Sequence, residues 1–410
     1  VYIEDCYFYS EMEWEVNKNC NPVAVVAAYY SAQDGKEMTY NIKDCHFNET
    51  LFSVADRYDV SAKIDVNMTN VVFAGAEKAD GTYEYGRYSQ PAFRYGEDGS
   101  TTRRTYGEIA LNDVKFFVKP TNTWGDKYNR YAVSINTGSN APNETTLRIS
   151  GVEYDAVSGT MGMGDQVPMG FVYAPNGNYS FVEITESGRN SYRIDGKPVD
   201  YKGTQLPEAY NKTKNIPYYS LQEAINEASA GDVIALAADI RLMAQGITVG
   251  SDKEITLDLA GYVLSGVLNN TGSSALITNN GELTITDTSA DKTGKITNQA
   301  LNPDTTWEPG FPAYANNTIT NHGQLIIQGG RIENTTGPGA SYVIDNNSTI
   351  RDAVVVVEGG YIVNPNNNFA IRQFANSTKN KNSVTINDGV VEGTRAVWIH
   401  LPGSSGEEKL

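Results

Sequence analysis

The chain has 410 residues and a mass of 44.7 kDa, too long for one ordinary compact domain and long enough for two or three. A net charge of −17 repels phosphate backbones and argues against nucleic acid as a partner, and no run approaches the roughly 18 apolar residues that a membrane span needs. With 38 Gly, 26 Tyr and 39 Asn and no long helical periodicity, the composition excludes helical bundles and coiled coils and fits a turn-rich β protein.

Val1 opens directly on strand-like sequence, with no signal peptide and no initiator methionine, so the chain reads as a piece of something longer. The first half repeats the template apolar-x-apolar-x-[Asp/Asn/Gly]-[Cys/Val]-x-[Phe/Tyr]. Its copies are Val1 to Phe8, Tyr40 to Phe47, Val66 to Phe73, Ile109 to Phe116 and Leu147 to Tyr154, spaced 26 to 43 residues apart with insertions between them. The fifth slot fits a bend where the chain turns from one sheet into the next. Partner strands are expected at Val23 to Tyr29, Ala92 to Tyr95, Ala132 to Asn136 and Phe171 to Tyr173.

Pro207, Asn211-Lys212-Thr213 and Pro217 break the strand pattern, which predicts a linker over 206–219 between domains at 1–205 and 220–410. Ser220-Leu221-Gln222-Glu223 then reads as a capping box, and Leu221, Ala224, Ile225 and Ala228 share one helical face ending before Gly231. A short helix of this kind covers the open end of an apolar ladder and protects a sheet edge.

From 253 to 400 a unit recurs every 29 to 36 residues: an alternating strand, then Gly-x-[Ile/Val]. It runs through Ile255 to Gly261, Leu283 to Ile296, Leu325 to Ile332, Val355 to Ile362 and Val384 to Val391. Second short strands fall between, at Ala275 to Ile277, Ile319-Thr320, Tyr342 to Ile344, Phe369 to Ile371 and Ala396 to Trp398. Such a unit cannot bury its apolar face alone. Stacked one coil per repeat, it forms parallel sheets with Ile, Val and Leu ladders inside and Thr256, Thr284 and Thr385 outside. The expected fold class is all-β, a right-handed parallel β-helix solenoid in two consecutive segments with a short capping helix between them. Asn at the corners tolerates left-handed backbone and stacks as amide ladders.

Ser220 to Ile225, Gly231 to Leu236 and Ile255 to Tyr262, with Gly281 to Ile285 and Gln324 to Gly330, resemble adhesin-like surface proteins of gut-type Gram-positive bacteria built from parallel β-helix repeats. The resemblance covers 217–400, and the first half departs from it in spacing and in its Phe/Tyr slot. It implies export, extracellular display at the cell surface, and binding of a glycan or a host or cell-surface protein.

Other right-handed β-helices are polysaccharide lyases or hydrolases, so carboxylates in matched slots of neighbouring coils are the catalytic candidates. Asp5, Asp44 and Asp113 share one slot, but Asn70 and Gly151 fill it elsewhere, which marks a tolerant bend. Asp258 and Asp287 form a second set, also readable as turn carboxylates. Asn321-His322-Gly323 lacks the paired Asp-Asp and Arg-x-Lys that accompany a Gly-His-Gly motif in pectin-cleaving hydrolases. His46, His322 and His400 are dispersed and the three cysteines lack zinc spacing, so no metal and no cofactor is expected. Cys6 and Cys45 occupy the same slot of successive copies, which leaves a disulfide open.

The binding candidates are Tyr83, Tyr85, Tyr88, Tyr95 and Tyr106 in segment 80–107, and Trp307 in the insert 302–312. Aromatic faces near polar groups suit sugar rings and protein partners alike, although tyrosine also packs well in strands and loops. The expectation is therefore a non-enzymatic adhesin-like rod. The competing classes are a polysaccharide lyase or glycoside hydrolase, and a virion fibre or spike, which would be a trimer. The sequence leaves the oligomeric state open.

Overall fold

The computed structural model describes residues 1–9, 23–28, 37–55, 62–78, 81–88, 90–96, 105–120, 131–136, 145–158, 169–174, 179–185, 188–243, 245–266, 275–298, 317–335, 341–348, 350–365, 369–374 and 381–400. They form an almost entirely β protein of parallel sheets with one short helix, in two compact units, Val1–Gln205 and Leu206–Leu410.

In the first unit the template copies lie side by side in register. Ile3 faces Ile42, which faces Met68, then Leu111, then Ile149. After the bend, Phe8, Phe47, Phe73, Phe116, Tyr154 and Tyr192 align in the same way. The rings of Phe8, Phe47, Phe73 and Phe116 stack at 4.7, 4.7 and 4.9 Å, which gives this column aromatic contact beyond its area burial. Ser180–Glu183 and Ser191–Ile194 add a further layer that the template did not show, because its bend is replaced by a longer connection. A separate five-stranded parallel sheet holds Val23–Ala28, Leu51–Ala55, Phe93–Tyr95, Tyr131–Ile135 and Gly170–Tyr173.

The bend slot explains its residue choice. Asp5, Asp44, Asn70 and Asp113 all have φ between 51° and 54°, and Gly151 has φ 65°. Only Gly, Asn and Asp enter this left-handed region readily. Two neighbours in the column are linked, since Asn70 Nδ2 donates to Asp44 Oδ1 at 2.7 Å.

The second unit repeats the plan with aliphatic ladders. Ile255, Leu283, Leu325, Val355 and Val384 form one, and Leu257, Ile285, Ile327, Val357 and Ile386 the next. A six-stranded sheet of Ile247–Val249, Ile277–Asn279, Ile319–Asn321, Ile344–Asn347, Phe369–Phe374 and Arg395–His400 supplies the third strand of each repeat. Gly330, Gly360 and Gly389 turn the corners with φ of 83° to 97°; a Cβ on Gly360 would lie 2.7 Å from the Gly330 carbonyl oxygen, so the position needs both the angle and the space. Asn279, Asn321 and Asn346 form a buried amide ladder with Nδ2 to Oδ1 distances of 2.8 Å at each step.

The helix Leu221–Glu227 starts as expected, with the Ser220 side chain accepting from the Glu223 N–H. It buries Leu221, Ala224 and Ile225 in the core of the second unit and ends at Ala228, while Gly231 turns the chain into the next strand with φ 81°. Residues 206–219 are not a linker, which corrects the boundary drawn there. Ala209–Asn211 and Ile216–Tyr218 form an antiparallel pair, and the former also lines the edge of Asp232–Leu236. Ala209 and Tyr218 enter the apolar core, and Glu208 accepts the Leu221 N–H at 2.7 Å, so the proline-rich stretch is tied down by contacts its local pattern does not reveal. Prolines are tolerated because the strand lies at a sheet edge.

Candidate functional site

The carboxylates proposed for catalysis sit at bends or are held by neighbouring donors. Asp5, Asp44 and Asp113 occupy the left-handed bend, and Asp44 is held below the usual carboxylate range by the Asn70 amide and the Lys43 ammonium. Asp258 is fully buried. Its Oδ2 accepts from Lys212 Nζ at 2.7 Å and Thr288 Oγ1 at 2.6 Å, and its Oδ1 from the Ala260 and Thr288 N–H groups. Burial works to raise this carboxyl, but those donors outweigh it and hold it low. Asp287 is fixed similarly: burial opposes its charge, and Ser289, Gly294 and Gly261 donors win. A general acid needs its pKa raised, and Asp44, Asp258 and Asp287 are pushed the other way.

Tyr88 and Tyr95 point into the core of the first unit, contrary to a surface binding role. The Tyr88 hydroxyl donates to the Phe47 carbonyl at 3.0 Å and the Tyr95 hydroxyl to the Ile64 carbonyl at 2.7 Å. Tyr106 is half-buried on the short strand Thr105–Tyr106, opposite Lys63. Trp307 lies outside the described residues.

Tyr83 and Tyr85 are brought together with residues the sequence reading missed. Residues 75–78 and 81–84 pair back on each other, with Gly75 N–H to Glu84 O at 2.8 Å, and carry both tyrosines onto the outer face of the sheet over Val72, Ala74 and Phe117. There the Tyr83 ring stacks on Phe117 at 5.9 Å and meets His46 edge-on at 5.2 Å. His46 in turn meets Tyr7 edge-on at 4.9 Å, and Tyr7 lies 5.9 Å from Tyr9. Tyr7 and Tyr9 are exposed by 52% and 60%, so the strip runs from half-buried rings to open ones. Its signal was present as strand parity: Tyr7 and His46 each precede an inward phenylalanine, Phe8 and Phe47, and so face out.

His46 is the electrostatic centre of the strip. It is 8% exposed, and burial lowers its pKa, opposed by a backbone hydrogen bond at Gly75 and by Glu77. The imidazole is therefore neutral at physiological pH. The strip offers ring faces and phenolic hydroxyls without net charge. Among the described residues no group of three or more His, Cys, Asp or Glu side chains is placed to hold a metal ion. Cys6 and Cys45 are free thiols, donating to the Glu4 and Lys43 carbonyls. Among the described residues no helix is long and apolar enough to cross a membrane.

No family model matches the chain, and no curated protein and no solved structure matches it.

Proposed function

We propose that this chain is a non-enzymatic part of an adhesin-like bacterial surface protein, displayed outside the cell, in which right-handed parallel β-helix stacks hold aromatic surfaces for a glycan or protein ligand. The observation that supports this best is the strip Tyr9–Tyr7–His46–Tyr83–Tyr85, mounted on the outer face of an in-register parallel sheet. A rigid sheet fixes the ring spacing, so little side-chain entropy is lost on binding. Tyrosine supplies an apolar face for sugar C–H groups and a hydroxyl for their oxygens. A glycan is the favoured ligand because the strip carries no net charge to select an ionic partner.

The test is binding of the purified chain to immobilised mucins, plant polysaccharides and bacterial glycans, with product analysis. Saturable binding without new reducing ends or unsaturated products is expected. Each of Tyr7→Ala and Tyr83→Ala should weaken it about fivefold, the equivalent of about 1 kcal/mol for a lost ring contact. Release of products overturns the non-enzymatic reading, and no binding to any glycan overturns the ligand class.

A further inference from the structure

The outer side of the six-stranded sheet in the second unit carries a different kind of surface. Asp345 is buried, and its two oxygens accept from Arg372 Nε at 2.7 Å and Nη2 at 2.5 Å. The Arg372 guanidinium lies 4.4 Å from the Tyr342 ring centre. Strand register sets Asp345, Arg372 and Trp398 opposite one another on successive strands. Phe369 stacks against Trp398 at 4.7 Å with 24° between planes, and the Arg395 guanidinium sits 5.2 Å from the Phe369 centre.

The two arginines do different work. Arg372 is neutralised by Asp345 in a two-point pair that holds the rings beside it in place. Arg395 is exposed and has no carboxylate within ion-pairing distance among the described residues. A planar guanidinium held over an aromatic ring keeps its donor fork free for a carboxylate. The half-exposed Phe369 and Trp398 rings beside it match a flat C–H surface. A carboxyl borne on a sugar ring offers both groups at once; an acidic peptide offers the carboxylate on a flexible stem without the flat face. We propose that this patch binds a carboxylated saccharide of the uronate or sialate type, with Arg395 taking the carboxylate and Phe369 and Trp398 the ring. The site is separate from the strip in the first unit, and neither depends on the other. Because the whole chain carries −17, attraction at a distance cannot select this ligand, and contact geometry must do so.

The experiment titrates the full chain, by calorimetry at 0.15 M salt, with a galacturonate oligosaccharide, its methyl-esterified counterpart, sialyllactose and a glutamate oligopeptide. At least one acidic saccharide should bind, the matching neutral sugar (the methyl ester or lactose) about tenfold more weakly, and the peptide no better than the neutral sugar. Arg395→Gln should cost about tenfold, Arg395→Lys less because the ammonium keeps charge but loses the fork, and Trp398→Ala a comparable amount. Tyr83→Ala should leave this binding unchanged, so failure here and failure of the glycan strip are separable. The proposal falls if neutral and acidic sugars bind equally, if the peptide matches the saccharide, if Arg395→Gln has no effect, or if no acidic saccharide binds.

Discussion

The two units solve one packing problem with different side chains. In the first, the column after the bend is aromatic, and the bend takes Asp and Asn, whose side chains meet neighbours in the same column, as Asn70 Nδ2 meets Asp44 Oδ1. In the second, the ladders are aliphatic, and neighbouring corners approach so closely that glycine is required at Gly360 and Gly389. The second unit also ties strand ends together with buried amides, Asn279 to Asn321 to Asn346, where the first unit relies on stacked rings. Parallel register is therefore compatible with more than one way of specifying it. An aromatic ladder fixes register through ring offset, and an amide ladder through the cost of a missed hydrogen bond.

The largest effect should come from the aromatic column. Phe73 is fully buried between the rings of Phe47 and Phe116, so Phe73→Ala removes two stacked contacts and leaves a cavity. A loss of about 3–5 kcal/mol is expected for the first unit, read by urea unfolding. A loss under about 1.5 kcal/mol, no more than an Ile→Val change, would show that the rings are interchangeable filler and erase the distinction between the units.

Next is the amide ladder. Asn321 Nδ2 donates to Asn346 Oδ1 and to the Gly323 and Val354 carbonyls, while its Oδ1 accepts from Asn279. Asn321→Leu keeps the volume but strands buried polar groups on both sides, at a cost of about 2–3 kcal/mol. Unchanged stability would mean that water replaces the amide.

The corners give a smaller and more discriminating pair. Gly360→Ala must force a Cβ against the Gly330 carbonyl at positive φ, and a loss of about 1–3 kcal/mol is expected. Asp113→Gly in the first unit relieves a left-handed residue and should change stability by less than about 1 kcal/mol. Equal costs would contradict the claim that backbone crowds the corner at Gly360, whereas the nearest neighbour at the first unit's bend is a side chain, as at Gly151.

These contrasts also explain what could be read in advance. The template Tyr40 to Phe47 was legible because period-two alternation and a fixed bend slot survive in one sequence, and the structure keeps the same register. Leu51–Ala55 escaped notice because only Glu49 and Thr50 separate it from the preceding strand; Glu49 turns that corner with φ 52° despite being no turn former. The site was half legible. Tyr83 and Tyr88 look alike in a tyrosine-rich segment, yet one lies on the outer face and the other in the core, because the chain doubles back between Gly75 and Glu84 and alternation does not carry through such a turn. Arg395, Phe369 and Trp398 meet only through strand register, across 26 residues or more of chain.

The smallest expected effect separates the units by pH. His46 is neutral when folded because burial disfavours its charge, so near pH 6 the unfolded chain binds a proton that the folded chain refuses. The first unit should hold full stability above about pH 6.5, the ordinary histidine value, and weaken as pH falls below it. In the second unit the Lys214 ammonium leads in holding Asp232 at about 2, and Asp258 and Asp287 are also held low. Folded carboxyls that stay charged contribute stability above the unfolded value of about 4, and that contribution drains away only as pH falls from there toward 2. Between pH 7 and 5, then, the first unit should lose about 1 kcal/mol or less while the second is flat, followed by amide hydrogen exchange of core peptides from each unit. His46→Phe, which fits the same ring environment without a titrating nitrogen, should abolish the slope of the first unit in that window. A slope that survives this substitution would assign the pH response to groups outside the strip.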